Sequence, residues 1–231
     1  MAYAYVLLDA DDTLFDFVKA ERHCIHGVLE RCGAVILCGG QSRRMGRCKA
    51  RLMVDGEPVL HRLAGELSFF EERLLSANDA ALGADLLSWT VVEDRFPGLG
   101  PGAGLHAALL AAKKEALLCV PCDLPAFSEQ AARCLLARFP RDCAAMVCRD
   151  GAGRLHPLCG IYTKEMLPAL ERRLAAGRCR MTELLEDAPT AVLDTAQLLP
   201  DSVFFNMNTP ADYRRAEEIV RIEKQRGRAN F

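Results

Sequence analysis

The sequence has almost no net charge: 29 Lys and Arg stand against 31 Asp and Glu, a formal balance of −2. That excludes a global positive field for holding nucleic acid, so any anionic ligand must be gripped by a local pocket. No apolar run reaches the roughly 18–20 residues of a membrane span, and no membrane partner is expected. Met1–Leu8 has no basic region and no small-residue cleavage site, so no signal peptide is expected and the chain is read as cytoplasmic. There is no internal repeat, low-complexity tract or long linker. Cys119 and Cys122 form a C-x-x-C, but no second pair and no His pair stands at zinc spacing. The 11 cysteines are an odd number, irregularly spread from Cys24 to Cys179, which is unlike a secreted disulfide scaffold. They read as reduced thiols, mostly small core residues, with Cys119 and Cys122 as the one pair that a redox or metal role would use. What is there is a 231-residue chain, 51% hydrophobic and 26% charged, the profile of one α/β domain or of one domain with a small appendage.

Short apolar runs alternate with helical patterns. Tyr3–Leu8, Ala34–Leu37, Arg73–Leu75, Thr90–Val92, Leu117–Val120 and Ala144–Val147 predict strands. Their continuous apolar character suits a parallel sheet covered on both faces. Helices are predicted near Phe15–Arg31, Pro58–Leu67, Gly102–Lys113, Ser128–Arg138, Lys164–Ala175 and Pro210–Gln225. Pro58 suits a first turn, Ser128 an N-cap with Glu129 just inside, and Gly33 and Gly177 helix stops. The fold class is therefore α/β: a three-layer, open, mostly parallel sheet, with ligand at the C-terminal ends of the strands.

The most informative stretch follows the second predicted strand: Leu37-Cys38-Gly39-Gly40-Gln41-Ser42-Arg43-Arg44-Met45-Gly46-Arg47-Cys48-Lys49. Two glycines after a strand allow a tight turn and close backbone approach to a ligand. Exposed amides there form an anion-binding concavity, and Arg43, Arg44, Arg47 and Lys49 could neutralise a triphosphate. A Walker A loop is absent. A solvated basic loop accounts for the composition as well as a phosphate cradle does.

This stretch resembles the loop of the molybdenum cofactor guanylyltransferases, the MobA proteins, L-[AC]-G-G-x-S-x-R-M-G-x-x-K. Further blocks follow in order: Ser76-Ala77-Asn78, Glu93-Asp94 through Gly100-Pro101-Gly102-Ala103-Gly104, Pro121-Cys122-Asp123-Leu124-Pro125, Gly153-Arg154-Leu155-His156-Pro157-Leu158 with Tyr162, and Phe205-Asn206-Met207-Asn208-Thr209-Pro210. The resemblance spans roughly Gly33 to Glu218 and implies a Rossmann-like nucleotidyltransferase fold. It implies transfer of GMP from GTP to the terminal phosphate of molybdopterin, with pyrophosphate released and Mg²⁺ as cofactor. Molybdoenzymes or other cofactor-biosynthesis proteins would be partners.

Residue by residue, the resemblance implies that Asp123 ligates the metal, that Lys49 and Arg44 grip the phosphates, and that Leu37, Cys38 and Gly39 line the nucleotide. It places Asn78 and Asp94 on GTP, and Asn206 and Asn208 on the pterin side. From the residues alone, Asp123 also suits a turn before Leu124-Pro125, Asn78 a helix cap, and Asn206 and Asn208 an Asx-type turn. The Gly98–Gly104 run reads as a wall of the guanine pocket that opens a helix N-terminus. Guanine is favoured over cytosine because the related cytidylyltransferases usually carry A-A-G where this chain has Cys38-Gly39-Gly40. The chain departs from the family at Cys48, where an Asp usually precedes the lysine, and at Cys38, usually Ala.

Residues 1–32 stand before the main pattern. Asp9-Ala10-Asp11-Asp12-Thr13 resembles the D-x-D-x-T opening of haloacid dehalogenase-like phosphatases. The later phosphatase motifs are absent. Residues 1–32 are read as a phosphatase-like strand–helix extension and residues 33–231 as the nucleotidyltransferase domain. Phe17, Val18, Ile25, Val28 and Leu29 form an apolar stripe that should dock on the main domain or on a second chain. A phosphatase, a non-catalytic GTP- or molybdopterin-binding module, and a cytidylyltransferase are the alternatives.

Overall fold

A computed structural model describes residues 25, 27–38, 49–178 and 180–229. The strand predicted at Tyr3–Leu8, Asp9 and Asp11, most of the Phe15–Arg31 helix, and loop residues 39–48 with Gly39, Arg44 and Cys48 lie outside the described residues.

In chain order the elements are β1 (Cys32–Leu37), β2 (Met53–Val54), β3 (Glu57–Pro58), α1 (Val59–Glu66), β4 (Arg73–Ser76), β5 (Thr90–Val92), α2 (Pro101–Ala111), β6 (Ala116–Pro121), α3 (Glu129–Ala137), β7 (Ala145–Arg149), β8 (Leu155–Thr163), α4 (Leu167–Ala175), α5 (Met181–Leu184), β9 (Thr190–Asp194) and α6 (Pro210–Ala229). Seven strands form one sheet in the order β5-β4-β1-β6-β8-β7-β9. All run parallel except β8, which is antiparallel to both neighbours. The expected three-layer, mostly parallel sheet is what the chain forms.

Two apolar layers sandwich the sheet, which is why β1 and β6 are buried along their whole length. Ile36, Leu118 and Val120 meet Leu63 of α1, Leu135 of α3 and Val220 of α6 on one face. Val35, Leu117 and Cys119 meet Leu105 and Leu109 of α2 and Leu170 and Leu174 of α4 on the other. The C-x-x-C is thereby split. Cys119 belongs to one layer and Cys122 to the other, and burial pushes the Cys119 thiol up, away from a reactive thiolate.

Local signals act as expected at several ends. Ser128 Oγ accepts the Ala131 amide at 3.2 Å, capping α3. Gly177 (φ +69°) stops α4: its amide reaches the Leu174 carbonyl and the Arg178 amide reaches that of Arg173. Gly33 is corrected: it lies inside β1, not at a helix stop, where a Cβ would come 3.0 Å from the Glu72 carbonyl oxygen. Pro58 likewise precedes α1 and pairs with Met53 in the β2–β3 hairpin. That hairpin turns on Asp55 and Gly56, both at positive φ, a type I′ turn with the favoured Asp-Gly sequence. α6 holds it through the Tyr213 hydroxyl on the Met53 carbonyl and Lys224 on Asp55 at 2.7 Å.

Besides the β2–β3 hairpin, two strands of the seven-stranded sheet were not predicted. β8 contains Pro157 and Gly160, which interrupt its apolar run. A register shift at Val147/Cys148 accommodates it, and Gly160 lies so close to β7 that a Cβ would come 2.2 Å from the Met146 carbonyl oxygen. β9 is a short edge strand, largely half-exposed, with only Ala191, Val192 and Leu193 as its apolar run.

The last residues before β1 are tied to the domain. Val28 and Leu29 pack against the core, the Arg31 carbonyl accepts the Ala116 amide at 3.0 Å, and Lys114 Nζ donates to the Glu30 carbonyl at 2.8 Å. β1 begins at Cys32, one residue before the division drawn at 33. No described helix is long and apolar enough to cross a membrane.

Candidate active site

Because β5, β4, β1 and β6 are parallel and adjacent, their C-terminal ends share one edge. Backbone bonds stitch that edge together: the Cys38 amide donates to the Ser76 carbonyl at 2.8 Å, and the Cys122 amide to the Leu37 carbonyl at 3.0 Å. Leu37 is buried and Cys38 half-buried. The chain leaves β6 into a turn at Asp123, so a rigid, fully buried strand sets the position of this carboxylate.

Lys49 opens a 3-10 turn (Lys49–Arg51) and sends its ammonium to the same place. Lys49 Nζ lies 3.2 Å from Asp123 Oδ2, with both side chains under one-fifth exposed. It also donates to Asn208 Oδ1 at 2.6 Å. Residues 74 and 159 positions apart in sequence thus meet on one ammonium. The segment carrying Asn208 is fixed by the Met207 amide, which donates to the Asp123 carbonyl at 2.9 Å. The other carboxylate oxygen, Asp123 Oδ1, is buried and has no hydrogen-bond partner among the described residues. An acceptor in that condition is costly unless something occupies it.

The turn after Asp123 is braced from below. Arg62 on α1, only 8% exposed, donates to the Pro125 carbonyl at 2.8 Å and pairs with Glu66 at 3.4 Å. Glu66 in turn accepts the Glu129 amide at 2.8 Å. No motif marks Arg62 and Glu66. Their signal is an Arg–Glu pair at i,i+4 on an otherwise apolar helix face.

Asn78 and Asp94 follow the ends of β4 and β5 and form a reciprocal pair. Asn78 Nδ2 donates to Asp94 Oδ2 and the Asp94 amide donates to Asn78 Oδ1, both at 3.1 Å. Asn78 does not cap the following 3-10 turn (Ala80–Leu82); Asp79 does, accepting the Ala81 amide at 3.0 Å. α2 begins at Pro101 after Gly98 and Gly100, both at positive φ, so the glycine run opens a helix N-terminus as expected. Its first turns press on the Asn78–Asp94 pair. A Cβ at Gly104 would lie 2.4 Å from Ser76 Oγ and 3.3 Å from Asp94 Oδ1. Gly104→Ala is therefore expected to cost about 1–3 kcal/mol in chemical denaturation and to displace Asp94. Unchanged stability would show that the contact is slack.

Asn206 and Asn208 are exposed. The Asn208 side chain faces Lys49, so no Asx turn uses it. The turn is made instead by Thr209 and Asp212 at the start of α6: Asp212 Oδ2 accepts the Asn208 and Thr209 amides at 3.1 and 2.8 Å, and Thr209 Oγ1 accepts the Asp212 amide at 3.2 Å. The Thr209 side chain is the largest influence holding the Asp212 carboxyl below its usual 3.8; the two amides and the Lys49 charge add to it and partial burial opposes it.

Among the described residues no cluster of three or more His, Cys, Asp or Glu could hold a metal ion. A lone carboxylate with a buried unpartnered oxygen suits a hard divalent cation that takes its remaining ligands from phosphates and water. Of the site residues read from sequence, Lys49, Asp123 and Asn208 meet directly. Leu37, Cys38, Asn78 and Asp94 line the same strand edge, Asn206 adjoins it, and Gly39 and Arg44 lie outside the described residues.

An open sheet with this strand edge, a lysine on its aspartate and glycines at a helix entrance defines a nucleotidyltransferase. Comparison with known proteins bears this out. The family described as MobA-like NTP transferase domain matches residues 34–217, and the chain belongs to it. A protein named probable molybdenum cofactor guanylyltransferase from Pelotomaculum thermopropionicum is 35% identical over 80% of this chain and 92% of its own length. The molybdenum cofactor guanylyltransferase of Rhodobacter capsulatus is 34% identical over 83% and 97%. The crystal structure of molybdopterin-guanine dinucleotide biosynthesis protein A from Archaeoglobus fulgidus superposes with a TM-score of 0.69 at 25% identity, covering 81% of this chain and 97% of that one.

Proposed function

We propose that the protein transfers GMP from GTP to molybdopterin and releases pyrophosphate. The observation that carries this reading is the meeting of Lys49, Asp123 and Asn208 at the sheet edge in a chain whose family relatives are guanylyltransferases over nearly their whole length. In the reaction an oxygen of the acceptor phosphate forms a bond to the α-phosphorus of GTP as the bond to the β-phosphate bridge breaks. Both partners are anions, so the site must cancel repulsion and stabilise the departing charge.

Lys49 supplies a point cation, with Asn208 and Asp123 aiming it. Asp123 is proposed to hold Mg²⁺ through the oxygen that has no partner among the described residues, and the ion when bound would draw charge from the phosphate oxygens. Asn78 and Asp94 face the nucleotide half of the edge, with Leu37, Cys38 and Gly39 forming its floor and Arg44 gripping phosphate. Asn206 and Asn208 face the acceptor half. Residues 33–231 form the transferase in this reading. Residues 1–32 form an extension of phosphatase-like origin that takes no part in the chemistry. The protein works in the cytoplasm, handing its product to molybdoenzymes or to other proteins of cofactor synthesis.

The test is pyrophosphate release by the purified protein with Mg²⁺, molybdopterin and each of GTP, CTP and ATP. Release with GTP alone is expected. Equal or faster release with CTP would overturn the guanine assignment, and no release with any nucleotide would overturn the function.

A further inference from the structure

A second side-chain pair, a carboxylate on an imidazole, lies on the same sheet edge and has no role in the scheme above. β7 points in the same direction as β6, so its C-terminal end belongs to the edge that carries Asp123. Directly after β7, Asp150 organises the turn into β8. Its Oδ1 accepts the Ala152 and Arg154 amides at 3.0 and 2.8 Å, and its Oδ2 lies 2.8 Å from His156 Nε2. Both side chains are largely buried, 10% and 14% exposed. Burial alone would raise the Asp150 carboxyl; the His156 bond and the two amides outweigh it and hold the group below its usual 3.8.

The pair reaches the site through one stretch of chain. The His156 ring stacks on Phe204, with centroids 4.6 Å apart and planes 24° from parallel. Beside it, Asp201 Oδ1 accepts the Gly151 amide at 3.0 Å, so the turn of residues 150–154 and the 3-10 turn Asp201–Phe204 are clamped at two points. Three residues beyond Phe204, the Met207 amide bonds the Asp123 carbonyl; one further, Asn208 Oδ1 takes Lys49. Four residues span at most about 14 Å. Residues 205–208 have no regular secondary structure, so side-chain contacts set where they lie: those of Phe204 and the Asp201 turn at one end, and the core packing of Phe205 and Met207 along the way.

We propose that His156, locked by Asp150 and stacked on Phe204, is a positioning residue for the acceptor half of the site, acting through residues 204–208 to place Asn206 and Asn208. This inference rests on the reading that those two asparagines face molybdopterin. It gives the Asp150–His156 pair a task that packing does not demand, since replacing both partners of a buried hydrogen bond by apolar groups of similar shape is often nearly neutral. It also separates the two halves of the site. The nucleotide half is held by contacts that the pair does not touch: Asn78 with Asp94 at the ends of β4 and β5, and Lys49 with Asp123, a contact that remains when Asn208 shifts.

Two substitutions test it. His156→Phe keeps a ring over Phe204 but leaves Asp150 without its partner. Asp201→Ala cuts the second clamp on the exposed side without disturbing the Asp150–His156 bond. Each is expected to raise the KM for molybdopterin by about 10-fold, while the dissociation constant for GTP, measured by binding, stays within about two-fold. His156→Gln, which can still donate to Asp150, should recover part of the acceptor KM. A wild-type acceptor KM in both His156→Phe and Asp201→Ala would overturn the inference. So would GTP affinity and acceptor KM worsening in proportion, because a general loss of structure does not distinguish the two halves. The unmodified protein is assayed first: no turnover there overturns the proposed function together with this inference, whereas normal turnover with indifferent variants overturns the inference alone.

Discussion

Asp123→Ala is expected to lower kcat by roughly 10³-fold or more and to leave the fold intact. The second half of that expectation follows from the geometry. Asp123 Oδ1 is buried without a partner, so deleting it removes an unsatisfied acceptor. Lys49 keeps its bond to Asn208, and the Met207 amide keeps the Asp123 backbone carbonyl, which the substitution does not change. Stability should therefore move by no more than about 1 kcal/mol. Pyrophosphate release read beside the chemical denaturation midpoint separates the two effects. A variant within about tenfold of the parent rate would remove Asp123 from the metal-binding role and with it the mechanism proposed for this edge.

Lys49→Met should cost about 10²–10³-fold in kcat/KM for GTP and should also be felt in the fold. Here the loss is asymmetric. Without the ammonium, Asp123 has a carboxylate less than one-fifth exposed with neither oxygen paired, and Asn208 loses its donor. An unpaired, partly buried charge of this kind costs about 1–3 kcal/mol. The double variant Lys49→Met/Asp123→Asn should recover much of that stability while being no slower than the worse single variant, since the two groups act as a unit. Additive losses in both rate and stability would mean that the 3.2 Å contact carries no coupling.

Particular residues show how far the sequence could be read. The buried strands were legible because a parallel strand covered on both faces reads as an unbroken apolar run, as in Cys32–Leu37 and Ala116–Pro121. The cap at Ser128 and the stop at Gly177 were legible because each is a local steric or hydrogen-bonding requirement. β8 was missed because Pro157 and Gly160 look like strand breakers in isolation, and only the neighbouring strand shows that a bulge and the absence of a Cβ make room. Gly33 was misread for the same reason: the crowding that excludes a side chain there comes from Glu72, far along the chain.

The site divides along the same line. Lys49, Asp123, Asn78, Asp94 and Asn208 each stood in a short motif, so their candidacy was local information. The C-x-x-C at Cys119 and Cys122 was local too, and there the fold rules against the motif, because each thiol joins a different core layer. Arg62, Glu66 and Asp150 stood in no motif, and His156 lay inside the Gly153–Leu158 block with no role assigned to it, because their meaning lies in what they brace.

By itself the sequence determined the fold class, the strand that presents Asp123 and the chemical character of the loop ends, since these depend on burial periodicity and on residue type. Only the tertiary structure decided that Asp123 and Asn208 share one ammonium from residues 74 and 159 positions away. Likewise it alone left one carboxylate oxygen without a partner and clamped the Asn208 segment to a turn on β7. The physical reason is that a side chain's propensity is written in its neighbours along the chain, whereas the partner of a buried charge is chosen by strand order and register, which bring distant segments to one edge.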